Sequence, residues 1–381
     1  MPPRILVSAG EASGDRYAAR LVDTIRRRFP QASFFGCAGH EMQASGVETV
    51  VDTSSLAVVG LVEVVHHVPR IYGEFRKLVA AARREHPALA ILTDSPDFHL
   101  RLAASLKRQG IPVVYLVAPQ LWAWREGRVK SLRRNVDQLH CIFPFEEKFF
   151  RRHGVEATYI GHPLSRLIRR AENQHEFRAR HGLPREQALI ALCPGSRPGE
   201  INRHLPIVVE AVRRIAAVRP ASFVLGTPAG FSAKHGTSSI DGICAGTPIR
   251  RVEGETWDLL GAADLSLVAS GTVTVEAALL GAPMIAFYRV TGASWLMGKL
   301  LVKVPFYSMV NLIAGERIVP ELIQDAMTPE RLSEEALRLL NSPDALAEMR
   351  ARLDAVAREL ATEHDPLERS TELMSRLLER N

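Results

Sequence analysis

Short apolar runs alternate with longer amphipathic segments through the first half of the chain. The apolar runs have the length of buried strands, and the longer segments have helical periodicity. The predicted strands are Ile5–Val7, Ser33–Phe35, Leu89–Leu92, Val113–Val117, Gln138–Phe143 and Ala157–Ile160. The predicted helices are Tyr17–Phe29, Ile71–Glu85, Leu100–Gln109, Arg128–Asn135 and Glu146–Arg152. This alternation predicts an α/β fold with a parallel, doubly wound sheet.

The same alternation starts again after a polar, Arg- and Glu-rich stretch over residues 166–187. The elements predicted there are strands Leu189–Leu192, Ser222–Leu225, Leu265–Val268 and Met284–Phe287, helices Ile201–Val218, Thr256–Ala262 and Val273–Leu280, a loop Gly226–Thr247, and a helical tail Pro329–Arg380. We therefore predict two Rossmann-like domains whose parallel sheets face a cleft. The predicted bounds are 1–165 for the first domain, 166–187 for a linker, 188–362 for the second domain, and 363–381 for a C-terminal helix that can pack back on the first domain.

Length and composition narrow the class of protein. With 381 residues, of which 46% are hydrophobic, the chain is long enough for two folded domains. No apolar run reaches the roughly 18 residues that a transmembrane helix needs, and the N-terminus lacks the apolar core of a signal peptide. These features predict a cytoplasmic protein. The four cysteines include no C-x-x-C pair, so we predict reduced thiols and no metal site.

Positive charge is modestly in excess, with a formal net charge of +6. Pairs of arginines lie near many predicted helix ends, where they complement the helix dipole. The excess favours an anionic partner such as phosphate groups or an anionic membrane surface. No zinc-finger, RRM or KH signature is present, so a nucleic-acid partner is not predicted.

The first predicted strand leads into a turn of small residues, Gly10 to Asp15, and then into a helix. Gly10 and Gly14 allow backbone to approach a ligand closely, and a helix N-terminus favours an anion. Glu11 and Asp15 place carboxylates at the same rim. The alternative is an ordinary first βα turn. The spacing differs from G-x-G-x-x-G, which argues against a dinucleotide.

The second half repeats this strand, small-residue loop and helix arrangement twice. Residues 194–200 combine backbone N–H groups with Arg197, which suits a diphosphate; the alternative is a helix N-cap with Arg197 on the surface. Residues 269–276 place Glu276 one turn into a helix, where it can accept sugar hydroxyls or simply complement the helix dipole. Two such loops in one domain favour a nucleoside diphosphate.

Seven motifs, taken in order, resemble the lipid-A-disaccharide synthase family. They span nearly the whole chain: residues 11–15 (EASGD), 94–98 (DSPDF), 122–125 (WAWR), 161–163 (GHP), 194–197 (PGSR), 270–272 (SGT) with Glu276, and 311–315 (NLIAG). The Ser-Gly-Thr element with its glutamate alone indicates only the broader GT-B glycosyltransferases. The Trp-Ala-Trp motif and the first turn make the resemblance specific.

The resemblance implies an inverting, metal-independent glycosyltransferase with a GT-B fold and no cofactor. Its implied reaction joins UDP-2,3-diacylglucosamine to 2,3-diacylglucosamine 1-phosphate (lipid X), giving a β-1,6 disaccharide and UDP in lipid A biosynthesis. It also implies a peripheral location on the cytoplasmic face of the inner membrane and a homodimer as the assembly.

Roles for individual residues follow from the resemblance. Asp94, which follows a predicted strand, is the expected base, with Glu11 as a second carboxylate that orients the acceptor or the base. Asp97 is either a further catalytic carboxylate or the N-cap of the next helix. The residues expected to bind the UDP-sugar are Gly195, Ser196, Arg197, Glu200, Ser270, Gly271, Thr272, Glu276 and Asn311.

A further group is expected to face the acceptor and its acyl chains: Ser13, Val62, Val65, Val68, Ile71, Trp122 and Trp124. For Trp122 and Trp124 the alternative is ordinary core packing. The apolar segment 60–72 is either a buried helix or a membrane-facing patch, and basic residues follow it in the sequence.

Three other classes of protein remain to be separated. A UDP-sugar 2-epimerase would share the UDP loops but would not need an apolar patch for lipid. A non-catalytic sugar-nucleotide-binding protein would keep Arg197 and Glu276 without needing Asp94. A dehydrogenase would need a dinucleotide fingerprint, which the sequence lacks.

Overall fold

The computed structural model describes residues 2–56, 61–302 and 304–379, with the side chains at 61–68, 293, 297 and 299–301 outside the description. The chain divides into two compact units. The first unit comprises Met1–Arg166 together with Leu360–Asn381, and the second comprises Leu167–Glu359.

The first unit alternates strands and helices, as its hydrophobic pattern predicts. Its elements are β1 (Arg4–Ala9), α1 (Ala12–Arg28), β2 (Ser33–Ala38), α2 (His40–Ala44), β3 (Glu48–Asp52), α3 (Leu61–Glu85), β4 (Leu89–Thr93), α4 (Pro96–Lys107), β5 (Val113–Leu116), α5 (Val129–Asn135), β6 (Gln138–Cys141), α6 (Pro144–Arg152) and β7 (Ala157–Tyr159). Within the described residues the strands form one seven-stranded sheet in the order β3-β2-β1-β4-β5-β6-β7, and every pairing is parallel.

The second unit repeats the architecture. The short helix α7 (Leu164–Leu167) lies where the chain passes from the first unit into the second. The elements of the second unit are α8 (Gln174–Arg180), β8 (Ala188–Cys193), α9 (Pro198–Val218), β9 (Ala221–Thr227), α10 (Phe231–His235), α11 (Ser238–Cys244), β10 (Ile249–Glu253), α12 (Thr256–Ala262), β11 (Leu265–Ala269), α13 (Thr272–Leu279), β12 (Met284–Tyr288), α14 (Gly292–Leu301), α15 (Met309–Ala314), β13 (Glu321–Ile323), α16 (Pro329–Leu340) and α17 (Pro343–Leu360). The last helix, α18 (Pro366–Leu378), belongs to the first unit. The strands described in the second unit form a parallel six-stranded sheet in the order β10-β9-β8-β11-β12-β13. The predicted α/β class with two parallel sheets is confirmed.

The strand order places a topological switch point in each sheet. In the first unit the order reverses between β1 and β4, and in the second between β8 and β11. Ligands of open parallel sheets bind at the carboxyl ends of the strands at such a point. The first turn and Asp94 follow β1 and β4, and the two glycine loops of the second unit follow β8 and β11. All four candidate loops therefore lie at a switch point.

Several segments differ from their sequence-based prediction. The loop predicted at Gly226–Thr247 contains α10 and α11, and the helix predicted at Ile71–Glu85 begins at Leu61. The stretch 166–187, predicted as a linker, contains α8, which packs against α12 within the second unit. That unit starts at Leu167 and ends at Glu359, whereas the predicted domain spans 188–362. The C-terminal helix α18 packs against α1 in the first unit.

Candidate active site

Asp94 lies at the carboxyl end of β4 with its backbone in the left-handed region. Its φ is 55°, and that of Ser95, the N-cap of α4, is 38°. Non-glycine residues adopt this conformation at a cost of about 1–3 kcal/mol and cluster at functional sites. Both carboxylate oxygens of Asp94 accept backbone hydrogen bonds from the first turn. Gly10 N–H donates to Oδ1 at 2.8 Å, and Glu11 N–H donates to Oδ2 at 3.2 Å.

The two glycines of the first turn leave room for this carboxylate. A Cβ atom at Gly14 would lie 1.7 Å from Oδ2 of Asp94, and one at Gly10 would lie 2.8 Å from Oδ1 and 2.0 Å from Oγ of Ser95. Each distance is far shorter than a van der Waals contact between these atoms. The glycines that the sequence predicted for close approach to a ligand therefore admit the side chain of Asp94.

The environment of Asp94 raises its pKa well above the ordinary value of an aspartate. Burial of the carboxyl is the largest cause, and the nearby negative charge of Glu11 is the next. The hydrogen bonds from Ser95, Gly10 and Glu11 act in the opposite direction. A raised pKa brings a carboxylate closer to the pH at which a general base works best. The carboxylate of the exposed Glu11 thus acts on the pKa of Asp94 through its negative charge.

Two buried side chains hold the backbone of Asp94 in place. The carbonyl oxygen of Asp94 accepts from the Tyr115 hydroxyl at 2.5 Å and from Nδ1 of His99 at 3.0 Å. Burial lowers the pKa of His99 to about 4, so its ring is neutral near pH 7. With Nδ1 donating, Nε2 accepts from the Ser8 hydroxyl at 2.8 Å. The sequence does not indicate these roles of Ser8, His99 and Tyr115, which come from β1, α4 and β5.

Asp15 and Asp97 have partners that the sequence did not indicate. Asp15 is buried, and its carboxylate accepts from the N–H groups of Gly39 and Glu41 at 2.7 and 2.9 Å, so it caps α2 and lies away from the rim. Asp97 lies in the first turn of α4, whose N-cap is Ser95, so the N-cap alternative for Asp97 is wrong. Its carboxylate pairs with the guanidinium groups of two arginines, Arg125 and Arg128.

The two tryptophans of the Trp-Ala-Trp motif are half-buried and have different surroundings. Trp122 donates from Nε1 to Glu146 Oε1 at 3.1 Å and packs edge-to-face on Phe145. Glu146 is fully buried, and this burial raises its pKa to about 8. Trp124 lies beneath Arg125, whose guanidinium carbon is 4.0 Å from the indole centroid. Trp122 is thus an anchor of its loop, whereas Trp124 supports an arginine.

The remaining residues of the expected acceptor group are only partly described. Ser13 and Ile71 are half-buried, and the neighbouring Tyr72 is 60% exposed. The side chains of Val62, Val65 and Val68 lie outside the described residues, as does Gly60. The backbone from Leu61 onward is helical and belongs to α3.

In the second unit, the loop after β8 presents Ser196 and Arg197 to solvent. Gly195 has a φ of 140°, which favours glycine, and α9 begins directly after Arg197. Glu200 braces the loop: its Oε2 accepts from Ser196 N–H and its Oε1 accepts from the Tyr288 hydroxyl, both at 3.1 Å. The Arg197 side chain remains 47% exposed and lies 3.8 Å from Glu200 Oε1.

A buried histidine joins this loop to the next one. Nδ1 of His204 donates to the carbonyl of Pro194 at 2.7 Å, and its Nε2 accepts from the N–H of Arg289 at 3.1 Å. His204 is fully buried on α9, and Arg289 follows β12. This role of His204 is not predictable from the sequence, because a lone histidine inside an amphipathic helix gives no signal of its partners.

The loop after β11 contains Ser270, Gly271 and Thr272 at the start of α13. Gly271 and Thr272 are exposed, and the Ser270 hydroxyl donates to the carbonyl of Tyr307 at 2.7 Å. Glu276 is half-buried on α13. Burial of Cys193 is the main cause that raises the pKa of its thiol to about 12, and the negative charge of Glu276 is the second cause. Since Cys193 ends β8, Glu276 lies close to the switch point of the sheet.

Asn311 is buried, and its side-chain amide is fully used within its own unit. Its Oδ1 accepts from the N–H groups of Ile318 and Val319, and its Nδ2 donates to the carbonyl of Val319 and to Glu321 Oε1, at 2.8–3.0 Å. The same Glu321 oxygen accepts from Ser308 Oγ at 2.7 Å. Asn311 and Glu321 therefore fix the segment that hydrogen-bonds Ser270.

Solved structures of nucleotide-sugar enzymes share this fold. The chain is similar to UDP-GlcNAc 2-epimerase from Neisseria meningitidis bound to UDP-GlcNAc, with a TM-score of 0.65, 12% identity and coverage of 99% of this chain and 100% of that one. It is also similar to CalG4, the calicheamicin glycosyltransferase, with a TM-score of 0.62, 14% identity and coverage of 100% and 99%. At these low sequence identities the similarity shows the fold alone, and the class that it defines is the GT-B fold.

Sequence comparisons identify the family within that class. The profile of the family described as lipid-A-disaccharide synthetase matches residues 5–367. The chain is 59% identical over 359 residues to a lipid-A-disaccharide synthase from Solibacter usitatus (strain Ellin6076), covering 94% of this chain and 93% of the relative. It is 46% identical over 360 residues to one from Myxococcus xanthus (strain DK1622), covering 92% and 94%. The chain belongs to the lipid-A-disaccharide synthetase family, which makes it a glycosyltransferase of lipid A biosynthesis.

Proposed function

We propose that this chain joins the 2,3-diacylglucosamine of UDP-2,3-diacylglucosamine to the 6-hydroxyl of 2,3-diacylglucosamine 1-phosphate, with inversion to a β-1,6 linkage and release of UDP. One observation carries the mechanism. Asp94 is held in a strained backbone conformation at the switch point of its sheet, with both carboxylate oxygens fixed by the first turn and its pKa raised.

The chemical step needs one base and a stabilised leaving group. The Asp94 carboxylate takes the proton of the acceptor 6-hydroxyl as that oxygen attacks the anomeric carbon of the donor. A new bond forms between the two atoms, while the bond from the anomeric carbon to the diphosphate oxygen breaks and its electron pair leaves with UDP. Attack opposite the leaving group inverts the anomeric centre. Glu11 orients the acceptor and keeps the pKa of Asp94 high.

The second unit supplies the donor site in this proposal. Ser196 and Arg197, at the N-terminus of α9, receive the diphosphate, because backbone N–H groups and a guanidinium both favour developing negative charge there. Gly271 and Thr272 approach the donor from α13, and Glu276 accepts hydroxyl groups of the ribose or of the glucosamine. Gly195, Glu200, Ser270 and Asn311 hold these loops in shape. A neighbour of the same fold is bound to UDP-GlcNAc, which supports a UDP-sugar as the donor.

The proposed reaction is tested by the dependence of UDP release on the acceptor. We expect the protein to release UDP from UDP-2,3-diacylglucosamine only when 2,3-diacylglucosamine 1-phosphate is added. UDP release at the same rate without the acceptor would indicate a hydrolase, and conversion of the donor sugar without UDP release would indicate an epimerase.

Replacement of Arg197 should weaken donor binding and slow the chemical step. Negative charge on the diphosphate grows as the bond breaks, so Arg197→Ala should lower kcat by about a hundred-fold, or about 3 kcal/mol of transition-state stabilisation, and also lower the affinity for UDP. The measurements are steady-state rates and calorimetric titration with UDP. The control is Arg213→Ala on the same helix, where the side chain is half-exposed and pairs with Glu210 at 3.3 Å. Unchanged UDP affinity in Arg197→Ala would remove Arg197 from the donor site.

Both proposed substrates carry acyl chains, so the enzyme must meet a lipid surface. None of the described helices combines the length and hydropathy needed to cross a membrane. We propose that the protein acts peripherally at the cytoplasmic face of the inner membrane and that α3 contacts lipid. The exposed Tyr72 and the basic residues Arg76 and Lys77 that follow it support this proposal, since aromatic rings and cations favour an anionic interface. The homodimer implied by the family resemblance remains a prediction.

Tyr72→Ser should weaken binding to anionic vesicles about ten-fold, because burial of one large apolar side chain is worth about 1.5–3 kcal/mol. The matched control is Val218→Ser, which changes a similarly exposed apolar residue at the end of α9. Vesicle flotation and thermal melting measure binding and folding separately. If both variants float with the vesicles as well as the wild type does, Tyr72 does not contact lipid.

A further inference from the structure

Two arginines of the first unit share one carboxylate near the proposed base. Nη1 of Arg125 lies 2.8 and 3.0 Å from the two oxygens of Asp97, and Nη2 of Arg128 lies 2.5 Å from one of them. Arg125 also stacks on Trp124 at 4.0 Å. We call Asp97, Trp124, Arg125 and Arg128 the Asp97 cluster. Two guanidinium charges against one carboxylate leave it with a net charge of +1.

The loop that carries the arginines of the Asp97 cluster has features that an ordinary surface ion pair does not need. Arg125 has a φ of 146°, a conformation that costs a non-glycine residue free energy. The loop that carries it is anchored at Trp122, whose indole donates to the fully buried Glu146. The side chains of Arg125 and Arg128 are 30% and 33% exposed, so they are largely covered by their neighbours yet accessible. An exposed ion pair alone is worth at most about 1 kcal/mol, which would not offset this strain.

The position of the cluster relates it to the acceptor. Asp97 follows Asp94 by three residues at the start of α4, so their Cα atoms are at most about 11 Å apart. In the acceptor, the carbon that bears the phosphate, C1, and the carbon that bears the reacting hydroxymethyl group, C5, are both bonded to the ring oxygen of one hexose. A hexose whose 6-hydroxyl reaches Asp94 therefore needs a phosphate-binding group within the length of one sugar, on the same unit.

The chemistry of the cluster suits a phosphate monoester. Guanidinium groups bind phosphate oxygens through paired N–H donors, and the net charge of +1 that the cluster retains attracts a phosphate anion. Asp97 contacts one nitrogen of each guanidinium, which orients both groups without neutralising both charges. Trp124 fixes the plane of Arg125 from below.

We propose that Arg125 and Arg128 bind the 1-phosphate of the acceptor, with Asp97 and Trp124 as positioning residues. This inference rests on the proposed function, because that function supplies the acceptor. It gives the enzyme a means to select the phosphorylated sugar as acceptor and to place its 6-hydroxyl at Asp94.

The test compares acceptors with and without the phosphate. In detergent micelles, the wild type should use 2,3-diacylglucosamine 1-phosphate with a KM about ten- to hundred-fold lower than that of the dephosphorylated sugar, as expected for charge-assisted hydrogen bonds. Arg125→Ala and Arg128→Ala should each raise the KM for the phosphorylated acceptor by about ten-fold and leave the KM for the dephosphorylated one unchanged. Arg125→Lys should fall between, because it keeps the charge and loses the paired donors.

Two controls distinguish binding of the acceptor phosphate from binding of the donor diphosphate or of lipid headgroups. Arg134→Ala, on an exposed position of α5, should leave both acceptor constants unchanged. The KM for the UDP-sugar should be unchanged in all variants, whereas a rise in Arg125→Ala would mean that the cluster binds the donor diphosphate and would overturn the proposal. Loss of binding to phosphatidylglycerol vesicles with unchanged acceptor selectivity would assign the cluster to lipid headgroups and would also overturn it.

A binding measurement decides the inference independently of turnover. Titration with glucosamine 1-phosphate, followed by phosphorus NMR, should show binding to the wild type and to Arg134→Ala that Arg125→Ala lowers by about ten-fold. Equal binding by all three proteins would overturn the phosphate site even if the disaccharide is formed. Binding that depends on Arg125 would support the site even if no disaccharide is formed, in which case the proposed function fails.

Discussion

Replacement of Asp94 by asparagine should lower kcat by about two to four orders of magnitude, the range for loss of a general base. The variant keeps the size of the side chain and one oxygen that can accept from the first turn, so folding and UDP binding should be retained. Initial rates, calorimetric titration with UDP and thermal melting measure the three properties. Asp23→Asn, at a partly exposed position on α1, is the matched control and should behave as the wild type.

The role of Asp94 as the base also predicts how kcat/KM changes with pH. A base must be ionised to accept a proton, so kcat/KM of the wild type should rise with pH as the Asp94 carboxyl ionises and then level off. Because burial and Glu11 raise the pKa of Asp94, this limb should lie above the pH range of an ordinary aspartate. The limb should be absent from Asp94→Asn. Near-normal turnover of this variant, or an unchanged acidic limb, would remove Asp94 from the role of base.

Gly14→Ala should abolish most of the activity while leaving the protein folded. The new Cβ would lie 1.7 Å from Oδ2 of Asp94, so the carboxylate has to turn out of the position fixed by the first turn. A misplacement of about 1 Å in a reacting group can cost about a hundred-fold in rate. Gly14 lies within α1, where alanine favours the helix by up to about 1 kcal/mol, so thermal stability should be retained.

Gly73→Ala provides the control for this substitution. Gly73 also lies in a helix of the first unit, and a Cβ there would meet no atom of the described residues within 4 Å. The two variants gain the same methyl group, and only Gly14→Ala should lose turnover. Equal activity of both variants would show that the position of the Asp94 carboxylate is not critical, and a large drop in the melting temperature of Gly14→Ala would assign its effect to folding.

The sequence predicts the central strands and the edge strand β7, but not the edge strands β3, β10 and β13. β1, β4, β8 and β11 are buried on both faces and appear as continuous apolar runs. The edge strands β3 and β10 each pair with one neighbour and are largely exposed, so their sequences are polar and give no strand signal. β13, another edge strand, has only three residues. Their presence depends on pairing with a neighbour that is distant in sequence.

The loops of the candidate site follow from the sequence, but the partners of their side chains do not. Small residues after an apolar run indicate a loop that can approach a ligand, which identifies the first turn and the loops at Ser196 and Ser270. The partners of Asp97 are two arginines, the first of them 28 residues later, and the amide of Asn311 is used by residues that fold back on it. The left-handed conformation of Asp94 depends on His99 and Tyr115 from neighbouring elements. Such contacts are set by tertiary packing.

The identity and linkage of the product test the central proposal most directly. The protein is incubated with UDP-2,3-diacylglucosamine and 2,3-diacylglucosamine 1-phosphate, and the products are analysed by mass spectrometry and NMR. We predict one tetraacyl disaccharide 1-phosphate with a β-1,6 linkage for each UDP released, and none with Asp94→Asn. A 2-epimerised UDP-sugar, an α linkage, or UDP with free diacylglucosamine and no disaccharide would contradict the proposal.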